Sequence, residues 1–383
     1  MIRLFIDLYN FIRLKRSKTI FRIGFFSENN FIYEYLEPYI LRKMKKHKIL
    51  ILSFEDINRD YLNLKNVFIF KTKLFQEIVF LTLNLKYLYS STPDLNFTIF
   101  KKSKFSKCKY IYLSHTPVSM NLIYRKNAFD HFDAVQATSV YQYKEMKEII
   151  RKRNLKTKVF KSEYLFVKKQ ITKIKSDNFE TDLLIAPSWN SNFYKTNCHL
   201  ILNKLLKEYK ISFKLRPHPA SFKKKEISLS ELKKENIPVD NLKYIDFQKY
   251  NFLISDWSGI FIEYALIFRR RAFLINTPKK IVNREYFKLE NKPIEISLRN
   301  TLARSFEISE IPEIIKEIRL AIQECGRKLG QYVHKKKRVG DEIKKRSYIE
   351  KYIPHVADAL IDLLSLQKSK KIEIERSLKH MLE

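Results

Sequence analysis

Short apolar runs alternate with longer amphipathic ones along most of this chain, and that alternation predicts an α/β protein with mostly parallel sheets. The runs at 20–26, 49–54, 67–70, 110–114 and 134–137 read as the strands of a first Rossmann-like half, with a helical run over 141–153 behind them. A second set of strands is expected at 183–186, 211–215, 252–255 and 272–276, with helices over 200–208 and 260–268 between them. A lysine-rich stretch at 168–175 leads to Asp177, Asn178 and Thr181, where composition turns polar, so the domains divide there into 1–178 and 179–325. Beyond Glu310 the pattern is helical. Breaks are expected at Gly326, Gly330, Gly340 and Pro354, and 326–383 reads as a C-terminal helical segment.

A length of 383 residues agrees with two domains, because one hydrophobic core seldom organises so much chain. An apolar fraction of 45% with 14% aromatics argues for burial and against disorder. Leu4, Leu8, Phe11 and Ile12 fall on one helical face that runs into Arg13, Lys15, Arg16 and Lys18. A signal peptide has the reverse order, charge before apolar core. A helix within 1–18 is therefore expected either to pack on its own domain or to lie in a membrane surface. The longest apolar run, near 79–89, is interrupted by Lys86, and no membrane span is expected.

Lys and Arg number 75 against 41 Asp and Glu, a net charge of +34. Such a balance calls for an anionic partner: nucleic acid, an anionic bilayer or a phosphorylated substrate. It is equally what drift would leave in a chain rich in Ile, Lys, Asn and Phe. The basic runs at 42–48, 101–109 and 334–338 read as solvated faces. Cys108, Cys198 and Cys325 are too far apart for a disulfide framework or a metal knuckle, which points to a reducing cytoplasm. His131, between Asp130 and Asp133, matches no metal spacing and reads as structural. Neither metal nor cofactor is expected.

The five glycines, at 24, 259, 326, 330 and 340, leave no room for a dinucleotide fingerprint or a phosphate loop. A bound nucleotide would have to be held by helix N-termini and side chains. Three polar clusters supply these, each following a predicted strand: Pro187-Ser188-Trp189-Asn190, Arg216-Pro217-His218-Pro219 and Asp256-Trp257-Ser258-Gly259. In a parallel sheet, ligands bind outside the carboxyl ends of strands. Ser258 and Gly259 open a helix whose first N–H groups suit a phosphate, and Glu263 one turn on suits ribose hydroxyls. The plainer reading is a capped helix with a solvated Glu263. Arg216 offers a fork to phosphate and His218 a donor, between prolines that fix the backbone; a structural turn is the alternative. His115 follows another strand, where a histidine serves as a general base or simply as a structural group.

Together, SHTPVSMNLIYRKNAFDHFD (114–133), LIAPSW (184–189), RPHP (216–219), ISDWSGIFIEYA (254–265) and INTPKKIVNREY (275–286) resemble the CDP-glycerol glycerophosphotransferases, which build teichoic-acid-type glycerol and ribitol phosphate chains. The resemblance spans roughly 20–320 in order, and is nearest to a proteobacterial-style branch. It implies a GT-B fold: two Rossmann-like domains with a cleft between them, donor mainly on the second and acceptor on the first. It implies a base at His115, donor-phosphate contact at His218, and a donor motif at Asp256, Ser258 and Gly259. The family's glycine after the first histidine is Thr116 here.

The resulting expectation is an enzyme that moves glycerol phosphate, or a related alditol phosphate, from a CDP-activated donor to a hydroxyl of a cell-surface glycan or lipid-linked acceptor, releasing CMP. Catalysis is assigned to His115 and His218, and donor binding to Ser188, Trp189, Arg216, Asp256, Trp257, Ser258, Gly259 and Glu263. The product would be a teichoic-acid-like or capsular polymer, made in the cytoplasm or at the inner face of the cell membrane, on an anionic membrane surface and without nucleic acid. Two alternatives stand beside it: a nucleotide-sugar glycosyltransferase or epimerase of the same fold, and a non-catalytic basic nucleic-acid-binding protein.

Overall fold

The computed structural model describes residues 2–17, 20–57, 66–173, 181–190, 192–240, 245–268 and 270–335. The chain forms two compact units, 1–169 with 282–293 and 170–281 with 294–383. This division falls before the expected one at 178/179, and it returns a short later segment to the first unit. The polar stretch expected to link the domains lies almost wholly outside the described residues.

The first unit carries a seven-stranded sheet: β1 (Ile23–Ser27), β2 (Ile49–Ser53), β3 (Val67–Ile69), β4 (Tyr87–Ser90), β5 (Lys109–Leu113), β6 (Ala134–Ala137) and β7 (Lys158–Lys161). All pairs are parallel, in the order β3-β2-β1-β4-β5-β6-β7. β1 and β2 are buried throughout, as central parallel strands must be when both faces are covered. Phe26 packs with Leu88, Phe80 and Phe100 on one face, while Ile23 and Phe25 join Tyr33 and Leu36 on the other. Gly24 sits where a Cβ would come within 2.6 Å of Leu85 Cδ1 and 3.0 Å of Leu88 Cδ1, so a side chain here would have to displace those leucine methyls.

The second unit holds β8 (Thr181–Ile185), β9 (Phe213–Leu215), β10 (Tyr250–Ser255), β11 (Ala272–Ile275) and β12 (Ala303–Phe306), parallel in the order β12-β11-β10-β8-β9. Its core joins Leu183, Ile185 and Ile254 to Leu202, Leu206, Ile311, Ile314, Ile315 and Ile318. The spacing of those four last isoleucines is the buried stripe of the helix Ile311–Lys335. That helix runs on through Gly326 and Gly330, where breaks were expected, since glycine costs a helix only about 1 kcal/mol. Gly340 and Pro354 lie outside the described residues.

β4, β7 and β12 are additions to the expected strands. β7 is an edge strand that reads Lys-Val-Phe-Lys and is largely exposed, so it carries no apolar run. Among the described residues no helix is long and apolar enough to cross a membrane.

Candidate active site

Because the second sheet is parallel, the turns after β8, β9, β10 and β11 leave from one edge. Two buried groups bind these turns together. The Asp256 carboxylate accepts from Ser188 N (2.8 Å), and Ser255 Oγ donates to Ala186 O (2.6 Å), which locks the end of β10 to the end of β8. Arg299 reaches in from the helix Arg299–Leu302 and donates to Asp256 O (2.7 Å), Ile275 O (3.3 Å) and Asn276 Oδ1 (2.9 Å). Burial holds its guanidinium down to about 10, against the pull of Asp256 and Glu307. The guanidinium also lies over the Trp257 ring, 4.1 Å from its centroid, and the Trp257 indole N–H donates to Thr277 O at 2.7 Å. Asp256 and Trp257 are thus buried in the frame, and their chemistry acts on neighbouring turns.

His218 is the N-cap of the helix Pro219–Lys223, and its Nδ1 accepts from Ala220 N at 3.1 Å. An accepting Nδ1 carries no proton, so the neutral ring holds its proton on Nε2 and presents a donor there. Pro219 at the first helical position has no N–H to satisfy, which suits it to this corner. Arg216 extends the ladder through its N–H to Ile185 O and pairs with buried Asp240 at 2.9 Å. Asp240 also accepts from Tyr250 Oη, whose ionisation is pushed up by burial and by that carboxylate.

Trp189 stands half-buried beside His218, ring centroids 6.4 Å apart. Lys224 Nζ and Lys280 Nζ lie 4.0 and 3.9 Å from its centroid, cation–π distances for both. Lys280 is 6% exposed, and burial lowers its ammonium to about 8, opposed by Asp256 and Glu295. Ser258 and Gly259, both half-buried, open the nine-residue helix Ile260–Phe268, where Ile260 N donates to Ser258 Oγ at a long 3.4 Å. Glu263 sits in its first turn and is 3% exposed, so it is not the solvated residue of the plainer reading.

His115 lies in the first unit, in the turn after β5. The helix Val140–Lys152 holds this turn with two side chains one turn apart. Gln142 Nε2 donates to Ser114 Oγ, Thr116 O and Val118 O at 2.7 to 3.0 Å, while its Oε1 accepts from Thr138 N and Oγ1. Glu145 accepts from Ser119 Oγ and Met120 N, both at 2.5 Å. The His115 carbonyl accepts from Tyr164 Oη at 2.9 Å. His115 Nδ1 is buried without a hydrogen-bond partner among the described residues, and burial lowers the imidazole to about 4. At neutral pH the ring is therefore uncharged, and burial makes it a weaker base than a free imidazole. Asp130 pairs with Arg153, Asp133 with Lys102 and Lys109, and His131 packs on Phe97.

Lys224, Lys280, Arg299, Gln142 and Glu145 were not among the residues expected. Lys280 lies in one of the matching stretches, but among 75 Lys and Arg residues it carries no local signal.

In fold, the chain is similar to the wall teichoic acid polymerase TagF soaked with CDPG, with a TM-score of 0.50 at 13% identity over 100% of this chain and 98% of that one. The fold is of GT-B type, an α/β arrangement of two parallel sheets with helices. Weaker likenesses are to the UDP-N-acetylglucosamine 2-epimerase of Rickettsia bellii (TM-score 0.45, 14% identity, 83% of this chain and 99% of that one) and to Anabaena Alr3699/HepE with UDP and glucose (TM-score 0.43, 11% identity, 95% and 99%). By sequence, residues 303–345 match the family described as topoisomerase VI B subunit, transducer. The B subunit of type 2 DNA topoisomerase 6 from Pyrococcus horikoshii is 39% identical over 67 residues, and that from Thermococcus kodakarensis 40% over 65. These matches span 18% and 17% of this chain, and only 12% and 11% of those relatives' length. The family match begins at β12 and runs into the helix after it, and it includes none of the site residues described above.

Proposed function

We propose that this chain transfers an alditol phosphate, glycerol phosphate first among them, from a CDP-activated donor to a hydroxyl of a glycan or lipid-linked acceptor, releasing CMP. The observation that carries this reading is the edge of the second sheet, where the His218 Nε2–H donor, Arg216, the Ser258-Gly259 helix start and two lysines over Trp189 gather at neighbouring strand ends. A leaving nucleotide phosphate develops negative charge, and fixed donors with positive charge stabilise it without reorganisation. Trp189 offers its ring, and Ser188 its turn, to the donor. Glu263 is the carboxylate assigned to the ribose. Asp256, Trp257 and Arg299 act by position, since they hold the turns that carry the donors.

The second catalytic group is His115, assigned the acceptor's hydroxyl proton. The new P–O bond forms to the acceptor oxygen as the bond to the CMP oxygen breaks. The hydroxyl proton goes to the imidazole, and charge leaves with CMP. CDP-glycerol and a panel of CDP- and UDP-sugars, each with a teichoic-acid-type acceptor, test the reading through nucleotide release. CMP from CDP-glycerol supports it. Release only from sugar nucleotides overturns it in favour of a glycosyltransferase or epimerase.

A further inference from the structure

The helix Ile2–Lys15 docks on its unit the opposite way round from an ordinary amphipathic helix. Its inward face is polar. The Asp7 carboxylate, fully buried, accepts from Lys71 N (3.0 Å), Thr72 N (2.7 Å) and Thr72 Oγ1 (2.5 Å). Asn10 Nδ2 donates to Ile69 O and Arg13 Nη2 to Val67 O, at 3.0 and 2.7 Å. Val67 and Ile69 are alternate residues of β3, an edge strand, so these side chains cover the open edge of the sheet. Phe11 and Leu14 add the apolar part of the seam. Phe11 is thereby on the docked side, and does not share a face with Leu4, Leu8 and Ile12 as expected from periodicity.

What remains outward is apolar. Ile2, Phe5 and Tyr9 are 78%, 62% and 65% exposed, and Leu4, Ile6, Leu8 and Ile12 are exposed beside them. Scattered exposed apolar residues need no explanation, but seven on one short helix do. Asp7 is the helix's only acid and it points inward, and Lys15 donates to Thr82 O of the same unit at 2.7 Å, so the charge left on the outward surface is positive, from Arg3 and Arg16.

We propose that this helix lies in the interface of an anionic lipid bilayer, with the face around Phe5, Ile6 and Tyr9 in the acyl boundary and the β3 edge holding its polar back. Charge decides between occupants: anionic headgroups complement Arg3 and Arg16, whereas a second copy would bring like charges together. Tyr9 supplies the amphipathic ring favoured at headgroup depth. The inference is independent of the transfer reaction.

Co-sedimentation of the full chain with phosphatidylcholine vesicles containing about a third phosphatidylglycerol tests it, beside pure phosphatidylcholine vesicles. The wild type is expected to pellet with the anionic vesicles, and Phe5→Glu with Ile6→Glu to lower its partition at least about tenfold, by analogy with charge placed in the interface. Those two positions lie off the docked face, so the variant is expected to keep its circular dichroism. Equal binding by the variant overturns the proposal, leaving adsorption by net charge alone. Failure of the wild type to pellet overturns it too. A wild-type dimer that the variant dissociates, without vesicle binding, assigns the face to a second copy and overturns it.

Discussion

In the first unit the turn after β5 is held by one carboxamide and one carboxylate, Gln142 and Glu145, and its histidine is desolvated and uncharged. In the second unit the turns after β8, β10 and β11 are held by a buried carboxylate and a buried guanidinium, and the groups around them are mostly cations. The two edges are built alike, from side chains that satisfy main-chain groups, yet they differ in the field they create. An imidazole kept neutral at this turn adds no cation to the first edge. A cation-rich edge with a helix start suits a diphosphate. The contrast teaches that two sheets of similar topology differ at their edges in electrostatics, one turn holding a neutral imidazole and the other a group of cations.

The largest effect is expected at His218. His218→Ala should lower CMP release from the donor by about a thousandfold, roughly 4 kcal/mol of transition-state stabilisation. It should also cost about 1 kcal/mol of stability through the lost helix cap. His218→Asn separates the two, because asparagine caps well but offers no imidazole. Turnover retained by the asparagine variant would reduce His218 to a cap and erase the catalytic half of the comparison.

Arg299 comes next. Arg299→Met leaves the carbonyls of Asp256 and Ile275 buried without their donor, and about 3 kcal/mol of stability should be lost in urea unfolding. Donor turnover should fall with it, since the turns it ties carry the donor groups. An unchanged urea midpoint would mean that Asp256 and the strand ends hold themselves.

Gln142→Leu should cost about 2 kcal/mol, because the Thr116 and Val118 carbonyls and the Thr138 N–H lose one shared partner. Transfer to acceptor should drop, while hydrolysis of donor by water should not. Equal loss of both activities would show that the two edges do not divide the reaction as argued.

How much of this was visible in the chain depends on distance along it. Ser188, His218, Ser258 and Gly259 stood out because each polar cluster follows an apolar run and is marked by proline or glycine. Arg299 and Lys280 act across 43 and 24 residues from Asp256, and nothing local sets them apart from other cations. Gln142 sits in a helix where a buried amide looks like any polar position. The first helix misled periodicity for a related reason: the rule that apolar faces turn inward fails where Asp7, Asn10 and Arg13 satisfy a sheet edge. β7 escaped notice because an edge strand needs no apolar run.

The smallest expected effect concerns pH, and it sharpens the comparison by testing a carboxylate of the first unit apart from chemistry. Glu148 lies one turn beyond Glu145 and accepts from Glu290 N, Asn291 N and Asn291 Nδ2 at 2.6 to 3.1 Å, with Lys152 at 2.8 Å. Burial alone would raise its carboxyl, but the hydrogen bonds from Lys152, Glu290 and Asn291 pull it down to about 2. A carboxyl depressed in the folded state stabilises the fold above its unfolded value, near 4.5, and that contribution fades as pH falls towards 2. The wild type should therefore lose about 1 to 2 kcal/mol more than Glu148→Gln between pH 5 and pH 3, measured by urea unfolding. Glutamine keeps one acceptor and cannot titrate, so its variant starts weaker and follows a flatter course. Parallel pH courses for the two proteins would show that segment 282–293 is held to the first unit by Asn121, Asn283 and the Leu122 carbonyl, and that the charge on Glu148 adds nothing to it.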